Sequence, residues 1–270
     1  MVADRPVRIP TSWAEPGRDL VAISAEVAAG YMGMVYDALR KAGFRVLSFM
    51  CSDGGPLLRC TGIVDVTGAG KSPEDVAAAL SSMGGLANVR VIRDPVKGFA
   101  AADGMILEAG GRRSVVMTSR ALLGLLLGAR EYLGDPVGSA FTYYAGLFSG
   151  RESAREFAAM FSGDQAIRLT IRTLESHGYA SSIEMLVGES TYRFEVADLV
   201  ECDLLRGHRS GRTSHWFRGV LAGLLSEVVG GEWDVEEVEC VNDGSDKCVF
   251  NARRKFPGIA EKETRRSPND

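Results

Sequence analysis

The stretch that most constrains the fold runs from His215 to Cys248. A helix predicted from about Ser214 to Val229 carries Gly219 and Gly223 on one face, where they permit close backbone packing, and Gly230-Gly231 ends it. A strand bearing Glu236, Glu237, Glu239 and Cys240 follows, and Asn242-Asp243-Gly244-Ser245-Asp246 turns the chain back to Cys248. An Asx/Gly turn between two strand-like runs predicts a hairpin. That hairpin places the thiols of Cys240 and Cys248 near each other at its base. Zinc takes four ligands from Cys, His and carboxylates, and this stretch offers all three types. On spacing alone, two hairpin cysteines are more often apolar filler than ligands. Strict alternation also puts Glu237 and Cys240 on opposite faces, so a shared site requires a bulge or an early end to the strand.

Length and charge narrow the rest. A chain of 270 residues holds one large domain or two of ordinary size, and a net charge of −4 gives no reason to expect nucleic acid as a partner. The N-terminal residues lack the apolar core of a signal peptide. The richest apolar run, Ala121 to Leu127, is far shorter than the ~18 residues that span a bilayer. The expectation is a cytoplasmic protein with no membrane contact, in which five cysteines serve burial or metal binding rather than a disulfide framework. Cys51 and Cys60, on another predicted hairpin, read as core packing. No Ser-His-Asp order or converging carboxylate pair suggests catalysis. His177 reads as a helix cap and His208 as solvated.

Taken in order, residues 1–18 read as an arm or a first edge strand. Strands are predicted at Leu20–Val27, Phe44–Cys51, Leu57–Val66 and Leu86–Arg93, with helices at Tyr31–Ala42 and Pro73–Met83. The order β-α-β-β-α-β is the ferredoxin-like split unit, assigned to residues 1–93. Thr67-Gly68-Ala69-Gly70-Lys71-Ser72 is not a phosphate loop, because Asp65 stands where a Walker loop needs glycine. Ser72, Pro73, Glu74 and Asp75 instead read as a helix start. Residues 94–112 are expected as a linker with a short strand around Met105–Glu108.

Residues 113–252 form the second predicted domain. Its helices are Ser114–Leu133, one from Asp135 broken at Gly150, Glu152–Phe161, and Asp164–His177; Ser181–Val187 and Tyr192–Val196 make a hairpin. Asp198–Arg212 is irregular, and residues 253–270 are a polar tail. The aromatic and leucine run from Leu122 to Phe148 is the best pocket material. Phe141, Tyr143, Tyr144, Phe148, Phe194 and Phe217 are the ligand-pocket candidates, with ordinary helix core as the alternative.

The N-terminal order resembles the ACT family, small regulatory domains that pair sheets edge to edge and bind small effectors. Trp216 to Gly223, Glu237-Val238-Glu239-Cys240, Gly244 and Cys248-Val249-Phe250, with Glu201-Cys202 upstream, resemble the 4-vinyl reductase domain family of small-molecule or hydrocarbon-binding domains. This likeness covers roughly residues 100–252. It implies an α+β fold that pairs as a homodimer around a ligand pocket, with relatives among aromatic-responsive activators and vesicle-tethering subunits. It also implies a closed, structural zinc site of an early Cys, a Glu and two hairpin Cys. Here Glu237, Cys240 and Cys248 match, His215 stands in the early-Cys place before Trp216, and Cys202 is the competing candidate.

The expected whole is therefore an ACT-like domain followed by a 4-vinyl-reductase-type domain. It would act as a sensor or carrier of a small apolar molecule, with its output passed through a protein partner. The alternatives are an accessory enzyme of tetrapyrrole vinyl reduction and an assembly subunit. The enzyme reading needs a hydride source, for which the sequence has no dinucleotide fingerprint. The assembly reading predicts a filled core and a large apolar surface patch.

Overall fold

The computed structural model describes residues 8–104 and 106–255, and the chain divides into two units between Val115 and Val116. The expectations for a signal-free N-terminus and for the tail beyond residue 255 lie outside the described residues.

The first unit contains β1 (Ser12–Ala14), β2 (Leu20–Val27), α1 (Met32–Lys41), β3 (Arg45–Asp53), β4 (Leu58–Asp65), α2 (Pro73–Ser81), β5 (Leu86–Ile92), β6 (Phe99–Ala101), β7 (Leu107–Ala109) and β8 (Arg112–Ser114). Its main sheet is antiparallel in the order β3-β4-β2-β5, the order of a ferredoxin-like split unit. Both faces of β2 find cover, which explains why that run is apolar at nearly every position. Val21, Ile23 and Val27 pack with Val35, Leu39, Val76 and Leu80 of the helices. Leu20 and Ala22 pack on the other side with Ile63 and Ala100. Ala100 belongs to β6, which pairs with β1, so the stretch expected as a linker contributes to this unit's core. The short strand expected near residues 105–108 is β7, and Met105 itself lies outside the described residues.

At the start of α2, Ser72 and Asp75 form a reciprocal capping box with Pro73 in the first turn. Asp65 is buried and bonds Thr67 N–H, with Arg18 and Arg45 alongside, so it closes a turn and cradles no phosphate. One expectation is corrected. Cys51 and Cys60 are not separate core fillers but are joined by a disulfide. They stand directly opposite each other in the β3–β4 register, and antiparallel neighbours on one face bring Cβ atoms within bonding range.

The second unit is α+β. It contains α3 (Ser119–Leu133), α4 (Asp135–Met160), α5 (Asp164–Ser176), β9 (Ser182–Val187), β10 (Thr191–Ala197), α6 (Val200–Leu205), α7 (His215–Val228), β11 (Trp233–Glu239) and β12 (Cys248–Arg254). Its antiparallel sheet runs β11-β12-β10-β9. The core gathers Ile167, Ile171, Phe194, Phe217, Leu221, Trp233 and Phe250 between this sheet and the helices.

Helices α4 and α7 meet through four glycines. A Cβ on Gly146 would sit 2.0 Å from the Trp216 carbonyl oxygen, and one on Gly150 would sit 2.1 Å from that of Val220. From the other side, Gly219 and Gly223 would each bring a Cβ to 2.0 Å from the carbonyl oxygens of Tyr143 and Leu147. Gly150 therefore does not break a helix. Its missing side chain lets α4 continue unbroken through Met160 against α7. Among the described residues, no helix is long and apolar enough to cross a membrane.

Candidate metal centre

Four buried side chains from four segments converge beneath the last hairpin. Cys202 comes from α6, Glu237 from β11, Cys240 from the residue after it, and Cys248 opens β12. One potential ligand atom from each lies within 4.8 Å of all the others. The sulfur of Cys202 stands 3.5 Å from that of Cys240 and 3.2 Å from that of Cys248, and the latter two are 4.0 Å apart. Glu237 Oε1 is 3.9 Å from the Cys202 sulfur.

Local irregularity makes this convergence possible. Trp233, Val235 and Glu237 alternate inward along β11, which by strict parity would turn Cys240 outward. The register slips between Glu237 and Glu239, and the extra residue of this bulge returns Cys240 to the buried face. Glu236 and Glu239 remain exposed, as solvated strand charges. On the other side, α6 delivers Cys202 from a region with no periodic signal. The neighbouring Glu201 is 1% exposed and accepts from the N–H groups of Trp216 and Phe217 at 3.0 and 2.8 Å, so it caps the start of α7.

His215 does not join the cluster. Successive helical residues point about 100° apart, and at the start of α7 it is Ser214 that faces the cluster. His215 lies instead among Arg130, Arg218 and Asp135, and burial together with the two guanidinium groups pulls its pKa down to about 4. The fourth converging residue is Cys202.

The cluster is short of positive charge. Burial pushes the carboxyl groups of both Glu201 and Glu237 up to about 8. Thiol donors from Cys202 and Cys240 pull Cys248 down to about 4, while the same hydrogen bonds and burial push Cys202 up. Three thiols and a carboxyl this close hold protons between them unless a cation replaces those protons. The donor set suits zinc: Zn–S bonds of about 2.3 Å in tetrahedral geometry put sulfurs about 3.8 Å apart, within the spread seen here. Four protein donors would leave no open position for water, which is the pattern of a structural ion.

The ligand-pocket candidates do not line one space. Phe194 and Phe217 are fully buried core residues. Tyr143 is half-buried under the Arg218 guanidinium. Phe141, Tyr144 and Phe148 are 51%, 66% and 66% exposed. The cause is the glycine seam: Gly146 and Gly150 turn one face of α4 to α7, so the aromatic stripe turns away. The one concavity described, of about 430 Å³, is polar and lined by Arg206, His208, Arg209, Ser210, Val241 and Asn242.

With this geometry in place, comparison with known proteins locates the site. Residues 195–254 match the family model of the V-4-R (4-vinyl reductase) domain. That span holds Glu237, Cys240 and Cys248 together with Cys202. A 35-residue stretch is 51% identical to an uncharacterized protein of Methanocaldococcus jannaschii, covering 13% of this chain and 22% of that relative. Among solved structures, the phenol-responsive sensory domain of the transcription activator PoxR with phenol aligns over 54% of this chain and 78% of its own, at 20% identity and a TM-score of 0.46. A vinyl-4-reductase family protein from M. jannaschii aligns over 54% of this chain and 100% of its own, at 17% identity and a TM-score of 0.32.

Proposed function

We propose that the second unit is a small-molecule-binding module whose base is tied by a structural zinc ion, working as a sensor or carrier of an apolar compound. The carrying observation is the buried set Cys202, Glu237, Cys240 and Cys248 within the span of the family match. When bound, zinc would supply charge neutralisation and a cross-link. The chain supplies the rest: α6 and the β11 bulge present the donors, Glu201 holds α7, and the hairpin excludes water. Chain purified without chelator should carry about one zinc per molecule, read by elemental analysis. Protein with full structure and no metal would overturn the assignment.

A second reading has its own support. The α4–α7 interface is filled backbone to backbone, while Leu125, Tyr132, Val137, Phe141, Tyr144 and Phe148 are more than half exposed on α3 and α4. Val137, Phe141, Tyr144 and Phe148 follow at spacings of four, three and four, the seam pattern of paired helices. An assembly surface accounts for this face, and a second copy of the chain is the occupant we assign to it. An apolar ligand would then be enclosed where the two copies meet. A thermal-shift screen against phenols, fatty acids and tetrapyrroles separates the readings: stabilisation supports the sensor, and none across the library supports pure assembly. The first unit, with β3 and β5 as its sheet edges, we assign an ACT-like regulatory role.

A further inference from the structure

The donors that reach the cluster are concentrated on one residue. Ser214 is 0% exposed and immediately precedes α7. Its N–H donates to Glu237 Oε2 at 3.0 Å, and its hydroxyl lies 2.7 Å from Glu237 Oε1 and 2.8 Å from the Cys202 sulfur. A serine at a helix start ordinarily accepts from the first turn's N–H groups. Here the hydroxyl makes no such bond, because the Glu201 carboxyl takes the N–H groups of Trp216 and Phe217. The Ser214 hydroxyl is thereby left for the cluster alone.

We infer that Ser214 is the positioning residue of the metal centre, fixing the Glu237 carboxylate and the Cys202 thiolate toward a shared cation. This rests on the metal-centre reading above. Neither residue has a rigid approach of its own, since Cys202 sits on a six-residue helix and Glu237 on a bulged strand. Ser214 bridges the two. With both groups anionic, the N–H serves one carboxylate oxygen and the hydroxyl proton serves the other oxygen or the thiolate. Asn242 adds lesser support, donating from its side chain to the Cys202 carbonyl at 3.0 Å and from its N–H to the Cys240 sulfur at 3.5 Å.

The test is Co²⁺ titration of the full chain against a competing chromophoric chelator, with thiolate-to-cobalt charge transfer and d–d bands recorded. Loss of an outer-shell partner typically weakens metal binding about 10- to 100-fold. Ser214→Ala should show that loss with displaced d–d bands, and Ser214→Thr, which keeps the hydroxyl, should restore both affinity and spectrum. Should the alanine variant fail to fold by circular dichroism, Ser214→Gly replaces it, since glycine is well tolerated at a helix start. Unchanged affinity and bands in the hydroxyl-free variant would overturn the inference, as would equal losses in that variant and the threonine variant. Failure of the unmodified chain to take up Co²⁺ would instead overturn the metal-centre reading.

Discussion

At the scale of single residues, the two candidates for the fourth ligand are separable. Cys202→Ala should reduce zinc content from about one per chain to near zero, whereas His215→Ala should leave it unchanged, both read by elemental analysis. His215 has a different signature. Its folded pKa lies below the ordinary histidine value, so the unfolded chain binds the extra proton first as pH falls. The resulting stability is present above about pH 6.5 and is lost as pH falls toward about 4. Thermal melts of His215→Gln should show a flatter dependence over that window; a slope equal to that of the unmodified chain would refute it. Glu237, Cys240 and Cys248 could be picked out from the sequence because a turn motif fixes their neighbourhood. Cys202 could not be ranked above His215. Its placement depends on Glu201 being buried against α7, a tertiary event with no local pattern, while adjacency to Trp216 drew attention to His215 instead.

At the scale of elements, turn residues and caps marked the boundaries of the first unit to within a residue or two, as at Gly43 and Ser72-Pro73. Where glycine has more than one meaning, the sequence misleads. Gly150 has the composition of a break and the function of a contact. The signal that distinguishes them is relational: Gly146 and Gly150 share the four-residue spacing of Gly219 and Gly223, which marks two matching faces. The β11 bulge and the helix α6 are likewise invisible to periodicity. The seam is testable, since overpacking a close contact costs about 1–3 kcal/mol or more. Gly219→Ala and Gly150→Ala should each lower the urea midpoint by that order, while alanine at Gly124, where nothing lies within 4 Å, should not.

At the scale of the whole molecule, the exposed aromatic stripe on α4 makes an association prediction. Tyr144 and Phe148 are each 66% exposed, so aspartate at either position removes no core contact. Sedimentation should show the unmodified chain as a dimer and Tyr144→Asp with Phe148→Asp as a monomer of unchanged melting behaviour when the two states are compared at low concentration. A monomeric parent chain would remove the second copy as the occupant of this face.

The glycine seam also limits how a signal can travel through the second unit. Helices that touch through side chains can shear past one another by small repacking steps. Backbones in direct contact at four interleaved points cannot, because a slip of one turn would bring Tyr143, Leu147 or Val220 against a carbonyl. The α4–α7 pair therefore moves as one bar. A change at the buried cluster, which grips the start of α7, reaches the outer stripe of α4 as tilt or rotation of that bar.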